Sequence, residues 1–227
     1  DVPLRMIEAV AILFTVLLTF MEIRHAVNGG KVYADLAGLT EVALQVCAAL
    51  AMAIGLERLR IRSRSIVHDV AAVLLTIFAC LAALFGLLGL DNPMIWRIDV
   101  GGVVVNLLLL GYPLPAILML TLSRLAAGRR TRVYGHALAA SALVMALAYI
   151  TLEVRRIYHG PIISSGGVSG AEQYTYTIAW LAFGVALLAA GVTFNSQRAR
   201  LASAAVIALT ILKAFMVDMS ELTGVYR

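Results

Sequence analysis

Apolar runs of roughly 18 or more residues, separated by short polar stretches, recur from one end of this chain to the other. A helix of that length crosses the hydrocarbon layer of a bilayer. The pattern predicts seven spans, at about 4–27, 41–56, 66–90, 100–125, 133–158, 173–194 and 201–219. The expected fold class is an all-α, polytopic transmembrane helical bundle. The fourth run is interrupted by Gly111-Tyr112-Pro113-Leu114-Pro115. Two prolines break an α-helix's hydrogen-bond ladder, and backbone groups freed at membrane depth survive only against protein or in a wet cavity. A packed kink is the first reading of this break. A binding site is the second, favoured if Asn106 faces the same way.

Composition agrees with the pattern. The chain is 62% hydrophobic and 14% charged, too little charge to cover a soluble domain of this size. The net charge of +5 is no sign of nucleic-acid binding, because the arginines fall in short connections. Arg58, Arg60, Arg62 and Arg64 are placed between spans two and three, Arg124, Arg129, Arg130 and Arg132 between four and five, and Arg198 and Arg200 between six and seven. In the alternate connections Lys31 is accompanied by Asp35, and Arg97 by Asp91 and Asp99. The positive-inside rule then puts the N-terminus and the arginine-rich turns in the cytoplasm. Cys47 and Cys80 lie within apolar runs, far from other metal ligands, and read as packing residues. No metal site and no cofactor is expected, and the partners expected are the lipid bilayer and further spans of a longer chain or other membrane subunits.

Two charged signatures stand at the ends of long apolar runs. Glu22-Ile23-Arg24-His25 leads to Asn28-Gly29, and Glu153-Val154-Arg155-Arg156 leads to His159-Gly160. Glu22 and Glu153 are 131 positions apart, as are Glu41 and Glu172. The offset lays span one on span five and span two on span six. It predicts a parallel repeat of four spans, with a first repeat at 1–131 and a second, incomplete one at 132–227, since an even number of spans returns the chain to the same side. On this reading an eighth span would follow Arg227, and the chain is expected to be part of a longer one. Both signatures and the end of span seven fall on the external side.

Helical geometry divides each signature. Residues two apart point to different faces, whereas residues three or four apart share one. Glu153 therefore faces with Tyr149 and Arg156, and Arg155 faces with His159. In the first copy Glu22 goes with His25, and Arg24 with Asn28. Lys213, the deepest charge of span seven, lies five positions from Asp218, which is poor spacing for a helical pair. Lys213 is expected to meet Glu153 or Glu22 instead. The candidate binding residues are Glu22, Arg24, Glu153, Arg155, Arg156, His159, Lys213 and Asp218. The competing reading is structural: arginines at a boundary extend to lipid phosphates, and carboxylates pair with them. His68-Asp69 reads as a cap or interface. The 164–170 loop, rich in Ser and Gly, reads as flexible and without chemistry. Tyr174, Tyr176 and Trp180 read as an aromatic belt.

At these residues the chain resembles the bacterial predicted membrane proteins filed as domain of unknown function 2339. The resemblance rests on the two Glu-x-Arg signatures, the Glu opening each following span, and above all the ending Leu212-Lys213-Ala214-Phe215-Met216-Val217-Asp218, followed by Leu222-Thr223-Gly224-Val225-Tyr226-Arg227. It implies an all-helical membrane fold in a bacterial inner membrane and a C-terminal portion of a very long chain. It implies no activity and no catalytic residue.

The leading functional expectation is a transport role, or binding of a small molecule or lipid, at an external polar cluster. The alternatives are a membrane-embedded enzyme modifying an envelope glycan or lipid, and a non-catalytic scaffold subunit whose charges only lock helices.

Overall fold

The computed structural model describes residues 2–31, 33, 38–63, 65–102 and 105–219. They form eight α-helices: α1 (Val2–Val27), α2 (Leu39–Ser63), α3 (Ile66–Leu81), α4 (Leu107–Gly111), α5 (Pro113–Ala126), α6 (Arg132–His159), α7 (Gly170–Thr193) and α8 (Gln197–Lys213). α3 continues as a π-helix, Ala82–Leu90, and α8 as another, Ala214–Asp218. Seven helical segments are long and apolar enough to cross a membrane. The molecule is an all-helical membrane protein whose spans alternate in direction. The described parts of the connections therefore gather at two ends, an arginine-rich one and one that carries both Glu-x-Arg signatures.

The core lies between α2, α3, α5 and α6. Val46, Leu50 and Ala53 of α2 meet Ala72 and Ala79 of α3, Met119 and Leu122 of α5, and Leu138 and Met145 of α6, all buried. Alanines let the backbones approach closely, which is how helices pack where lipid supplies no hydrophobic drive between them. The α7–α8 hairpin uses the same device. Gly184 abuts Ile207, Gly191 abuts the Arg200 backbone, and the Ser203 hydroxyl donates to the Gly184 carbonyl at 2.7 Å. α1 buries no residue.

The span boundaries correct two expectations. α2 runs on to Ser63, so Arg58, Arg60 and Arg62 ride on its last turns instead of in a connection. Arginine is a good helix former, and no Gly or Pro stops the helix before the Ser65 cap of α3, whose hydroxyl accepts from the Val67 amide. The fourth span starts at Leu107 rather than near Val100. Asn106 caps it, its side chain accepting from the Leu109 amide, and the preceding segment folds back across this end. There Val100 donates to the Pro161 carbonyl at 2.9 Å, and Leu107 to the Val100 carbonyl at 2.8 Å.

The break in the fourth span is a packed kink. α4 ends at Gly111, and α5 restarts with Pro113 in its first turn, where a missing N–H costs nothing. Tyr112 between them is fully buried, and its hydroxyl donates to the Leu87 carbonyl of the first π-helix at 2.7 Å.

Candidate functional site

The end of the bundle bearing the two signatures gathers most of the polar candidates. Glu41, in the first turn of α2, is buried. Arg24 of α1 donates to its Oε1 at 2.8 Å, Asn28 just past the end of α1 to its Oε2 at 2.9 Å, and Gln45, one turn along α2, to Oε1 at 3.1 Å. Glu172, in the first turn of α7, is buried as completely. Arg155 of α6 donates to its Oε1 at 3.0 Å, and the Tyr176 hydroxyl does so at 2.7 Å. His159 Nε2 lies 3.0 Å from Oε2. Arg24 and Arg155, Asn28 and His159, Glu41 and Glu172, and Gln45 and Tyr176 are each 131 positions apart. In both places a helix ends with an arginine and a hydrogen-bonding residue four positions later. The next span opens with the carboxylate they share.

A buried carboxylate in a bilayer is tolerable only when its lone pairs are occupied. Each of these is held by a guanidinium and two further groups. Arg155 is engaged at all three of its nitrogens. Its Nε donates to the Ile163 carbonyl at 3.1 Å, and its Nη2 to the Gly166 carbonyl at 2.7 Å and the Ser165 carbonyl at 3.4 Å. The serine- and glycine-rich loop is therefore clamped onto the end of α6, contrary to its reading as a flexible segment. Gly166 fits there because its φ is +90° and because a Cβ would lie 2.8 Å from the His159 ring.

The other signature residues point elsewhere, as their spacing requires. Glu153 pairs with Arg156 at 2.7 Å, accepts from the Asn106 amide, and lies beside Tyr149. It thus ties α6 to the start of the broken span. Glu22 is exposed and has no ion pair among the described residues. Asp91, after the first π-helix, faces Glu41; burial and that neighbouring negative charge raise its carboxyl above the ordinary range.

Lys213 corrects an expectation. It meets neither Glu153 nor Glu22. Its ammonium donates to Asp218 at 2.7 Å, to the Thr177 hydroxyl at 2.6 Å and to the Gln173 carbonyl at 2.9 Å. Residues five apart do not stack on an α-helix, but they do on a π-helix, where the bonds run i to i+5. The chain turns π at Ala214, which brings Asp218 under Lys213. The proposed single cluster is accordingly four separate groups, centred on Glu41, Glu172, Glu153 and Asp218. The aromatic belt is also reduced. Tyr174 is exposed, but Tyr176 is buried on Glu172, and Trp180 donates to Thr151 at 3.0 Å.

A further ion cluster lies at the arginine-rich end, where the sequence shows only orientation-setting arginines and a cap or interface at His68-Asp69. Glu57, fully buried on α2, accepts from Arg60 at 2.8 Å and from Arg130 at 2.7 and 3.0 Å. Asp69 bridges the same two arginines at 3.0 and 2.9 Å, and Arg130 stacks over Tyr134 with 5.3 Å to the ring centroid. A Glu three positions before an Arg near a helix end was the available signal. His68 bonds Ser63 at 2.8 Å. Among the described residues no group of three metal-ligating side chains converges. Residues Leu222–Arg227, which carry part of the family-like ending, lie outside the described residues.

Compared with known proteins, the whole chain, residues 1–227, matches the profile of a family described as "Predicted membrane protein (DUF2339)". No curated protein and no solved structure matches it.

Proposed function

We propose that this chain, which belongs to the predicted membrane protein family DUF2339, is a non-catalytic scaffold whose buried charges lock neighbouring spans. The observation that carries this reading is the saturation of Glu41 and Glu172. Each carboxylate is buried, neutralised and hydrogen-bonded on both oxygens by residues of its own and the preceding span. A substrate site keeps a group available, whereas a lock uses every group it has. The equal offset of the partner positions supports a parallel four-span repeat, with units at 1–131 and 132–227, in which the lock is a repeated joint between the first two spans. The distribution of arginines supports an inner-membrane chain with the N-terminus cytoplasmic and the locks at the external face.

A charge-reversal cycle tests the scaffold reading. Arg24→Glu and Glu41→Arg should each lower the unfolding temperature of the purified protein in detergent. The double variant should recover at least half of the loss, because Asn28 and Gln45 can turn their amides to accept from an arginine. Single variants that melt like the parent protein would overturn the lock, as would a double variant no better than either single one.

The second reading, a binding or transport site, is favoured by one group. Glu153 is the most accessible of the paired carboxylates at this end, with 17% of its side chain exposed. It also holds Asn106 at the start of the broken span. Arg156 and Asn106, its bonded neighbours, would then share a charged ligand with it. A functional carboxylate is commonly kept at a cost to stability. Glu153→Gln should therefore melt at or above the parent temperature if this reading is correct, and below it if Glu153 only ties α6 to α4.

A further inference from the structure

α1 is fastened to the bundle at its two ends. Near the arginine-rich end, the Ser65 hydroxyl donates to Glu8 at 2.6 Å. Beyond the middle, Phe20 meets Phe78 with ring centroids 5.4 Å apart, and at the far end Arg24 holds Glu41. Between Glu8 and Phe20 no residue of the helix is fully buried, and only Ile12 and Val16 reach the core, each half-buried. It stands off α3 across a groove of about 610 Å³, lined by Ile12, Leu13 and Val16 on one side and by Val70, Leu74 and Phe78 on the other.

We infer that this groove holds one acyl chain of an anionic phospholipid from the leaflet at the arginine-rich end. Its length favours that occupant. From Ile66 to Phe78 the groove follows thirteen residues of α3, or about 18 Å at the rise of an α-helix. That is close to half of a hydrocarbon core about 30 Å thick. The Phe20–Phe78 contact closes its inner end near mid-membrane. A packing helix would have to cross that contact, whereas an acyl chain of one leaflet ends there. Its lining is almost wholly apolar, so water gains no partners in it, and an empty gap would forfeit dispersion contacts along both walls. The mouth supplies the headgroup chemistry. Arg5 lies one turn outward from Ala9 on the same face of α1, and Arg58 and Arg62 are exposed at the same end of α2. Glu8, the carboxylate at this mouth, is occupied by Ser65. An exposed guanidinium at headgroup depth, above a leaflet-deep apolar slot, is complementary to a lipid phosphate with its chain below.

Native mass spectrometry of the full chain in mild detergent, titrated with dioleoyl phosphatidylglycerol or dioleoyl phosphatidylcholine, tests this. The parent protein should retain phosphatidylglycerol in preference to phosphatidylcholine. Leu74→Trp, which fills the groove, should cut retention of both lipids by about tenfold, and Ala71→Leu should do so to a lesser extent. Arg5→Gln should abolish most of the preference while phosphatidylcholine still binds. Val185→Trp, on the lipid-facing side of α7, should change nothing. The inference is overturned if Ala71→Leu and Leu74→Trp elute as folded monomers that retain phosphatidylglycerol like the parent. It is overturned equally if Arg5→Gln keeps the full preference, or if filling the groove changes the oligomeric state, since the occupant would then be a protein helix.

Discussion

Replacing Glu172 by alanine is expected to destabilise the bundle by about 3–5 kcal/mol, the usual cost of removing one partner from a buried ion pair. Arg155, itself buried, would keep the loop carbonyls of Ile163, Ser165 and Gly166 but lose the charge that balances it. His159 and Tyr176 would lose their common acceptor as well. In a chain of this size the loss corresponds to a fall of about 6–20 °C in unfolding midpoint, at about 2–4 °C per kcal/mol. Glu172→Gln should cost less, because the amide still accepts from Tyr176 or Arg155 while the charge is gone. Glu22→Ala is the control. That side chain is exposed and outside every ion pair among the described residues, so its removal should stay within about 0.5 kcal/mol. Melting curves in one detergent would decide the matter. An unchanged midpoint for Glu172→Ala would mean that the buried cluster is not holding α6 to α7.

Tyr112→Ala should be comparably severe, at about 3–5 kcal/mol for emptying a fully buried aromatic site. The side chain fills the gap that the broken span leaves between α4, α5 and the first π-helix. Tyr112→Phe separates packing from hydrogen bonding. It keeps the ring and removes only the donor to the Leu87 carbonyl, leaving that buried group short of a partner at a cost of about 1–3 kcal/mol. If Tyr112→Phe proved as damaging as Tyr112→Ala, the hydroxyl rather than the ring would be the keystone of the kink. If Tyr112→Ala melted like the parent, the break would be a loosely filled hinge, and the transport reading would gain.

Much of the site was legible in the sequence because helical spacing is rigid. The separation of Arg155 from Glu153 onto different faces followed from 3.6 residues per turn, and so did the company of Arg155 with His159 and of Arg24 with Asn28. All three groupings appear in the hydrogen bonds. Glu41 and Glu172 were noticed for their spacing, yet nothing local said that they would be the acceptors. Tyr176 looked like a belt residue because position alone cannot tell a ring facing lipid from one facing a carboxylate. Lys213 meets Asp218 and not Glu153 because the chain turns π there, which α-helical spacing does not foretell. Glu57 and Arg130 are 73 positions apart and meet only because α2 and α5 bring their ends together.

The sequence by itself determined the seven membrane-crossing helices, the end of the bundle at which each charge would lie, and the helical face from which it would project. Hydropathy is summed over some twenty residues and survives any detail of packing, and the direction of a side chain is set by its own helix. The tertiary structure alone decided which cation meets which carboxylate, that Glu41 and Glu172 have both oxygens occupied, and that α1 stands away from α3 over an apolar groove. Those outcomes depend on how each helix is rotated about its axis and on where it slips into π geometry. A rotation of one residue's worth, about 100° in an α-helix, is enough to exchange an ion pair for contact with lipid.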